Sequence, residues 1–246
     1  CIRDRFAMTF TTGTSGGTTD PTLAFEKVGL PTAQSAPFTC VRVGPDHLLY
    51  ASTLDGRIFR WTINPDGTLG SPQVTTTLSG RLITGFAFDP RFVQNASNPI
   101  LWVSNGFYSG NDVYYQDNAP DFSGQITVLS GANLQTAQTA VFDLPRSIRD
   151  HLTEQPAFGP DGALYFAQGS DTSYGAPDVI WGNRPEHLLT AAVLRLDVSK
   201  IDLAHPLDAK TTDAGGAYDP FAPGAPLTIY ATGVRNAFEL LWAKDG

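Results

Sequence analysis

The chain has 246 residues, of which 41% are hydrophobic and 11% aromatic, with Gly 24 and Pro 18; that is enough apolar material for a core and excludes wholesale disorder. Lys+Arg 16 against Asp+Glu 24 gives a formal net charge of −8, which argues against a nucleic-acid partner, since counterion release needs a basic surface, and against an anionic membrane surface. No stretch reaches the roughly 20 apolar residues of a transmembrane helix, and the longest apolar tracts, such as Pro99 to Val103, are strand-sized.

The N-terminus opens at Cys1 without a Met-initiated signal peptide, as a processed or trimmed chain does. Cys1 and Cys40 are the only cysteines, and an even count suits one disulfide tying down the N-terminus. Next come Leu48 to Ser52, a turn at Leu54-Asp55-Gly56, the alternating run Arg57 to Ile63, and a second turn at Asn64-Pro65-Asp66-Gly67. β-branched and aromatic runs broken by Asp-Gly predict hairpins. Asn95-Ala96-Ser97 is a glycosylation sequon in a Pro/Asn-rich turn; with the cysteine pair it predicts a secreted, extracellular protein. Glu186 to Val198 has some helical character, but Leu194, Leu196 and Val198 alternate with Arg195 and Asp197, which predicts a strand in its second half after one helical turn at Pro185-Glu186-His187.

A degenerate repeat runs through these elements. Gly44-Pro45-Asp46-His47-Leu48-Leu49-Tyr50 matches Gly159-Pro160-Asp161-Gly162-Ala163-Leu164-Tyr165 almost position for position. Phe88-Asp89-Pro90 followed by Ile100 to Val103 is a looser copy, and a fourth starts at Leu241. Equating Leu49, Leu101 and Leu164 gives spacings of 52 and 63 residues, the length of a four-stranded β-propeller blade with inserted loops. The competing all-β reading is a sandwich with chance Pro-Asp-Gly turns. No composition break divides the chain, so residues 1–246 are expected to form one β-propeller domain. At this repeat length the chain holds about four blades, and it ends within a hairpin turn. Because an unclosed propeller exposes bare sheet edges, the domain is expected to continue beyond Gly246.

Three clusters have the residue types for chemistry at one end of such a scaffold. Arg149-Asp150-His151 stands just before an inner strand; a His there can serve as general base, and Asp150 either orients it or binds elsewhere. Arg235-Asn236 follows a strand and a Gly turn at Thr232-Gly233, pairing a planar carboxylate fork with a donor–acceptor amide. Arg81 precedes an apolar strand that leads to Phe88-Asp89-Pro90. Taken alone, each cluster reads more readily as a surface or loop-bracing feature than as a site.

The order His151, Phe158-Gly159-Pro160-Asp161-Gly162-Ala163-Leu164-Tyr165, then Gly233-Val234-Arg235-Asn236, resembles the soluble PQQ-dependent sugar dehydrogenases. Ser173-Tyr174-Gly175-Ala176-Pro177-Asp178 and Trp181 to His187 look more like the fungal pyranose dehydrogenase branch, whereas Gln168-Gly169-Ser170-Asp171 departs from the bacterial pattern. The resemblance covers about Asp46 to Gly246. It implies a six-bladed propeller of four-stranded antiparallel blades, oxidising a sugar at its anomeric hydroxyl with PQQ and Ca²⁺. His151 would be the catalytic base, held by Asp150, and Arg81, Asp150, Arg235 and Asn236 would line the cofactor. It further implies that the Ca²⁺ ligands and remaining PQQ ligands lie after Gly246, and that electrons pass to a haem domain or other acceptor. The expected state is a monomer. An acidic protein that binds a tricarboxylate must concentrate positive charge at the mouth. The readings from other classes are a non-catalytic propeller binding carbohydrate or protein, and a Ca²⁺-dependent lactonase-type hydrolase.

Overall fold

The computed structural model describes residues 29–33, 36–108, 110 and 119–243. These residues are almost entirely strand and turn. The first sheet is a meander of β1 (Phe38–Val43), β2 (Leu48–Thr53), β3 (Ile58–Thr62) and β4 (Gln73–Thr75), paired in that order. The second contains β5 (Arg81–Phe88), β6 (Ile100–Phe107), β7 (Phe122–Ser130) and β8 (Thr136–Pro145), with a single short helix, α1 (Pro90–Gln94), between β5 and β6. The third is built from β9 (Ala157–Phe158), β10 (Leu164–Gln168), β11 (Ala192–Leu196) and β13 (Leu227–Thr232). The two-residue strand β12 (Leu207–Asp208) leaves the third sheet and pairs in parallel with β8, Leu207 opposite Val141, which stitches neighbouring sheets together.

Sequential four-stranded meanders packed face on face are the blades of a β-propeller. Among the described residues three blades are complete, where the spacing predicted about four. The excursion through β12, from residue 197 to 226, lengthens the third repeat and uses up the difference. The copy expected at Leu241 runs into residues 244–246, outside the described residues.

The repeat has a physical basis. Asp46 accepts hydrogen bonds from the Leu48 amide at 3.3 Å and the Tyr50 hydroxyl at 2.7 Å. Asp161 does the same for the Ala163 amide at 3.2 Å and the Tyr165 hydroxyl at 3.0 Å. One carboxylate thereby pins a turn to the strand that follows it. The tyrosine ring lies over the turn, and a Cβ on Gly44 or Gly159 would sit 2.6 Å from it. The looser copy keeps the chemistry with another aromatic donor: Asp89 accepts from the Arg91 amide and from Trp102 Nε1, both at 2.8 Å.

One buried cluster runs through all three blades, including Tyr50 and Ile58, then Phe86, Leu101 and Val141, then Leu164, Phe166 and Leu194. Aromatic edges cross the blade interfaces, with Tyr50 on Phe88 at 5.1 Å and Trp102 on Phe158 at 6.3 Å between ring centroids. β11 confirms the strand expected in the second half of Glu186 to Val198. Residues 185–187 are irregular rather than helical, and the turn comes at 188–190. Cys40 is buried in this core, and burial pushes its thiol pKa up; its expected partner, Cys1, lies outside the described residues.

Candidate functional site

Three chain segments lie side by side where the blades meet. Thr84 Oγ1 donates to the Thr153 carbonyl at 2.6 Å. Gly85 faces Gln155 so closely that a Cβ would stand 2.6 Å from Gln155 Cγ. Gln155 in turn donates its amide to the Phe238 carbonyl at 3.2 Å and its side-chain Nε2 to Glu239 at 2.6 Å. The segment 151–155 is therefore flanked by 81–85 at Thr153 and Gln155 and by 235–239 at Gln155. Of their starting residues, His151 and Arg235 both stand against the Trp181 ring, while Arg81 lies near Arg146.

His151 is 2% exposed. Its Nδ1 lies 2.8 Å from the Ser170 carbonyl. A carbonyl only accepts, so the neutral ring carries its proton on Nδ1 and presents a lone pair at Nε2. The imidazole tilts over the Trp181 indole at 4.4 Å. The Arg149 and Arg235 guanidinium groups stand 5.8 and 5.7 Å from the same indole, within cation–π range. Burial lowers the His151 pKa; the Ser170 carbonyl acts against this, Arg235 lowers it further, and Asp150 and Glu186 raise it. The net direction is down, so the ring is neutral at physiological pH.

The other expected residues have distinct surroundings. Asp150 is exposed and acts on His151 through charge, while the direct partner of the ring is Ser170. Arg235 donates Nε to the Ser173 carbonyl at 2.9 Å and is otherwise exposed, as is Asn236. Arg81 braces its own blade, donating to Asn105 Oδ1 at 2.9 Å and the Ser123 carbonyl at 3.0 Å. Asn95 is exposed just after α1, and its Oδ1 accepts from the Ser97 amide at 3.3 Å.

Several ionisable residues here were not singled out in the sequence. Arg146 is buried, donates Nη1 to the Phe107 carbonyl, and leaves Nε and Nη2 without a partner. Burial and the neighbouring Arg184 and Arg81 hold its pKa down to about 10. Arg184 reaches the carbonyls of Arg146 and Ala119 and pairs with Asp121. Burial pushes Glu154 up to about 8, and burial with the adjacent Glu186 does the same for Asp171. Arg146 stands only five residues before His151, so a basic residue beside the candidate base was a usable signal. Nothing local marked Glu154 or Asp171 as buried.

Arg149 and Arg235 stand at the Trp181 ring beside His151, while Arg81 and Arg184 lie near the buried Arg146; these are five of the sixteen Lys and Arg of an acidic chain. The exposed Arg235-Asn236 pair has the donors to fit an anionic, carboxylate-bearing group. For a metal the fit is different: among the described residues no group of three or more His, Cys, Asp or Glu is placed to share an ion.

No known family model matches the sequence. Among solved structures, the chain is similar to a protein described as an oxidoreductase (glucose dehydrogenase) from Thermus thermophilus, with TM-score 0.50 and 18% identity over 85% of this chain and 56% of that one. It is also similar to virginiamycin B lyase from Staphylococcus aureus, with TM-score 0.37 and 14% identity over 73% and 44% of the two chains. A third is the PQQ domain of pyranose dehydrogenase from Coprinopsis cinerea, with TM-score 0.43 and 12% identity over 72% and 37%. The chain thus spans about half the length of these structures or less. At such identities a likeness speaks to fold and leaves the reaction to the site. What the blades and the likeness to the Thermus protein establish together is the architecture: the chain folds as a β-propeller.

Proposed function

We propose that this chain forms part of a secreted sugar oxidoreductase of the PQQ type, with His151 as general base. The observation that carries the reading is the His151–Ser170 hydrogen bond, which keeps a neutral imidazole with its Nε2 lone pair against the Trp181 ring that Arg149 and Arg235 also approach. When bound, PQQ with Ca²⁺ would supply the hydride acceptor for the anomeric carbon. His151 Nε2 would take the proton of the anomeric hydroxyl while the hydrogen on the same carbon leaves as hydride, so the sugar loses one hydride to the acceptor and one proton to His151. Arg235 and Asn236 are assigned to the cofactor's carboxylates, and Arg149 and Arg146 contribute positive charge nearby. Arg81 contributes charge rather than a direct contact, because its donors are engaged within its own blade. Asp150 tunes His151 through space. The Ca²⁺ ligands are assigned to parts of the protein outside this chain. Electrons leave to a cytochrome domain or similar acceptor, and the protein works as an extracellular monomer.

The test is dye reduction by the full-length protein with PQQ, Ca²⁺ and a panel of aldoses and 2-keto-aldoses. Sugar-dependent reduction is expected. Sugar binding without reduction, or lactone hydrolysis without PQQ, would replace this reading with a binding propeller or a lactonase-type hydrolase.

A further inference from the structure

Glu186 lies on the loop after Trp181 and takes no direct part in the chemistry proposed above. Its half-buried carboxylate nevertheless collects five hydrogen bonds. Oε1 accepts from Ser170 Oγ at 2.5 Å, the Thr172 amide at 3.0 Å and Thr172 Oγ1 at 2.5 Å. Oε2 accepts from the Asp171 amide at 3.1 Å and Thr190 Oγ1 at 2.5 Å. Burial would raise its pKa, but the bonds from Ser170, Thr172 and Thr190 outweigh burial and hold it low, so the group is ionised. Charge-assisted bonds of this kind are about twice as strong as neutral ones.

Four of the five donors belong to three consecutive residues, Ser170 to Thr172. Those residues are the link between the two halves of the candidate site. The Ser170 carbonyl accepts from His151 Nδ1 at 2.8 Å, and the Ser170 amide donates to the Arg235 carbonyl at 2.9 Å. One residue beyond Thr172, the Ser173 carbonyl accepts from Arg235 Nε at 2.9 Å. Residues 170–173 have no regular secondary structure to hold them, so the carboxylate supplies the organisation that a strand or helix would otherwise provide.

We propose that Glu186 is a positioning residue that clamps residues 170–173, thereby holding the proton on Nδ1 of His151, aiming its Nε2, and tying His151 to Arg235. A mixed tautomer would leave part of the population with a protonated Nε2 that cannot act as a base. The role of His151 in catalysis rests on the function proposed above; the clamp itself is a statement about geometry and is tested without substrate.

The experiment is ¹⁵N NMR of histidine-labelled full-length protein at neutral pH, comparing wild type with Glu186→Gln and Ser170→Ala. Gln keeps the shape but turns one acceptor into a donor facing an amide. Ala removes one hydroxyl donor and leaves the Ser170 carbonyl in place. The wild type is expected to show a dominant Nδ1–H tautomer. Glu186→Gln is expected to show a mixture, with Nδ1–H exchanging with water about tenfold faster or more, and Ser170→Ala a smaller shift the same way. Should Glu186→Gln not fold, Ser170→Ala decides. An unchanged tautomer and exchange rate overturns the clamp, and so does an equal rise in exchange across β6 and β7, which would mark general loosening. Absence of sugar oxidation in the wild type would count against the proposed reaction and leave this measurement to stand or fall by itself.

Discussion

His151 and Ser170 are joined by a hydrogen bond of 2.8 Å from the imidazole to a main-chain carbonyl. The ring is almost fully buried, so its tautomer is set by backbone geometry rather than by solvent, and its titration by burial and the neighbouring charges.

The burial of His151, with Arg235 beside it, outweighs the Ser170 carbonyl, Asp150 and Glu186, placing its pKa below the ordinary value of about 6.5. Activity should therefore rise with pH through an acid limb below about pH 6.5 and level off above it. The profile of kcat/KM against pH measures this limb in the free enzyme. An acid limb above that value would contradict the burial argument. His151→Ala should lower turnover by roughly 10²–10⁴-fold with PQQ binding retained, read by cofactor absorbance alongside dye reduction.

Asp171 and Glu154 both titrate near 8 in the folded chain and near 4 when unfolded. Their folded pKa values are raised, so the native state holds more protons than the unfolded state between these limits. Stability from these groups is fully present below about pH 4 and is lost as pH rises toward 8. Asp171→Asn, which mimics the protonated acid, should flatten this loss and make the variant more stable than wild type at pH 8, by on the order of 1–3 kcal/mol. Urea unfolding of both proteins at pH 5 and pH 8 gives the comparison. A variant with the same pH slope as wild type would show that Asp171 is not the titrating group.

The Asp161–Tyr165 contact is the repeat's structural unit. Asp161→Ala and Tyr165→Phe should each cost about 1 kcal/mol, and the double variant less than their sum, because either change alone breaks the bond. Thermal or urea unfolding of the three variants provides the cycle. Strict additivity would mean that the bond contributes nothing.

Gly85 lies where the second and third blades touch. Gly85→Ala puts a Cβ 2.6 Å from Gln155 Cγ and 3.1 Å from its Cα, so side chain and main chain both have to move. A loss of about 1–3 kcal/mol is expected, with the His151 tautomer disturbed because residues 151–155 shift together. Unfolding curves and the histidine ¹⁵N spectrum report the two effects, and a neutral substitution would mean that the inner strands pack more loosely than this contact requires.

Asn95 is expected to carry glycan if the chain passes through a eukaryotic secretory pathway, since its side chain is exposed beside an open turn. The intact mass should exceed that of the polypeptide and fall back in Asn95→Gln. An unmodified secreted protein would remove this support for export.

Much of the architecture is local and was legible in the residues. The Gly-Pro-Asp turns, the alternation in Arg57 to Ile63 and the Asp–Tyr spacing act within a few positions of each other, so the blades and their repeat could be read directly. The approach of His151 and Arg235 to one Trp181 ring depends on the loop from 169 to 187, which no local pattern reported. The count of blades was less legible, since β12 leaves its blade to pair with β8 and no local pattern reports that excursion.

The partner of His151 was decided only by the tertiary structure. Asp150 is its neighbour in sequence, yet the ring turns to a carbonyl nineteen residues on. Sequence proximity specifies which groups are close along the chain, whereas hydrogen-bond direction depends on the path of the backbone between them. For the same reason Glu186 was invisible as a clamp: its donors lie 14 to 16 residues upstream and at Thr190. They converge only after β10 and β11 have paired. The sequence by itself determined the strands, the turns and which charged residues flank them. Folding decided which of those charges are buried, what each one touches, and therefore which of them are set to act.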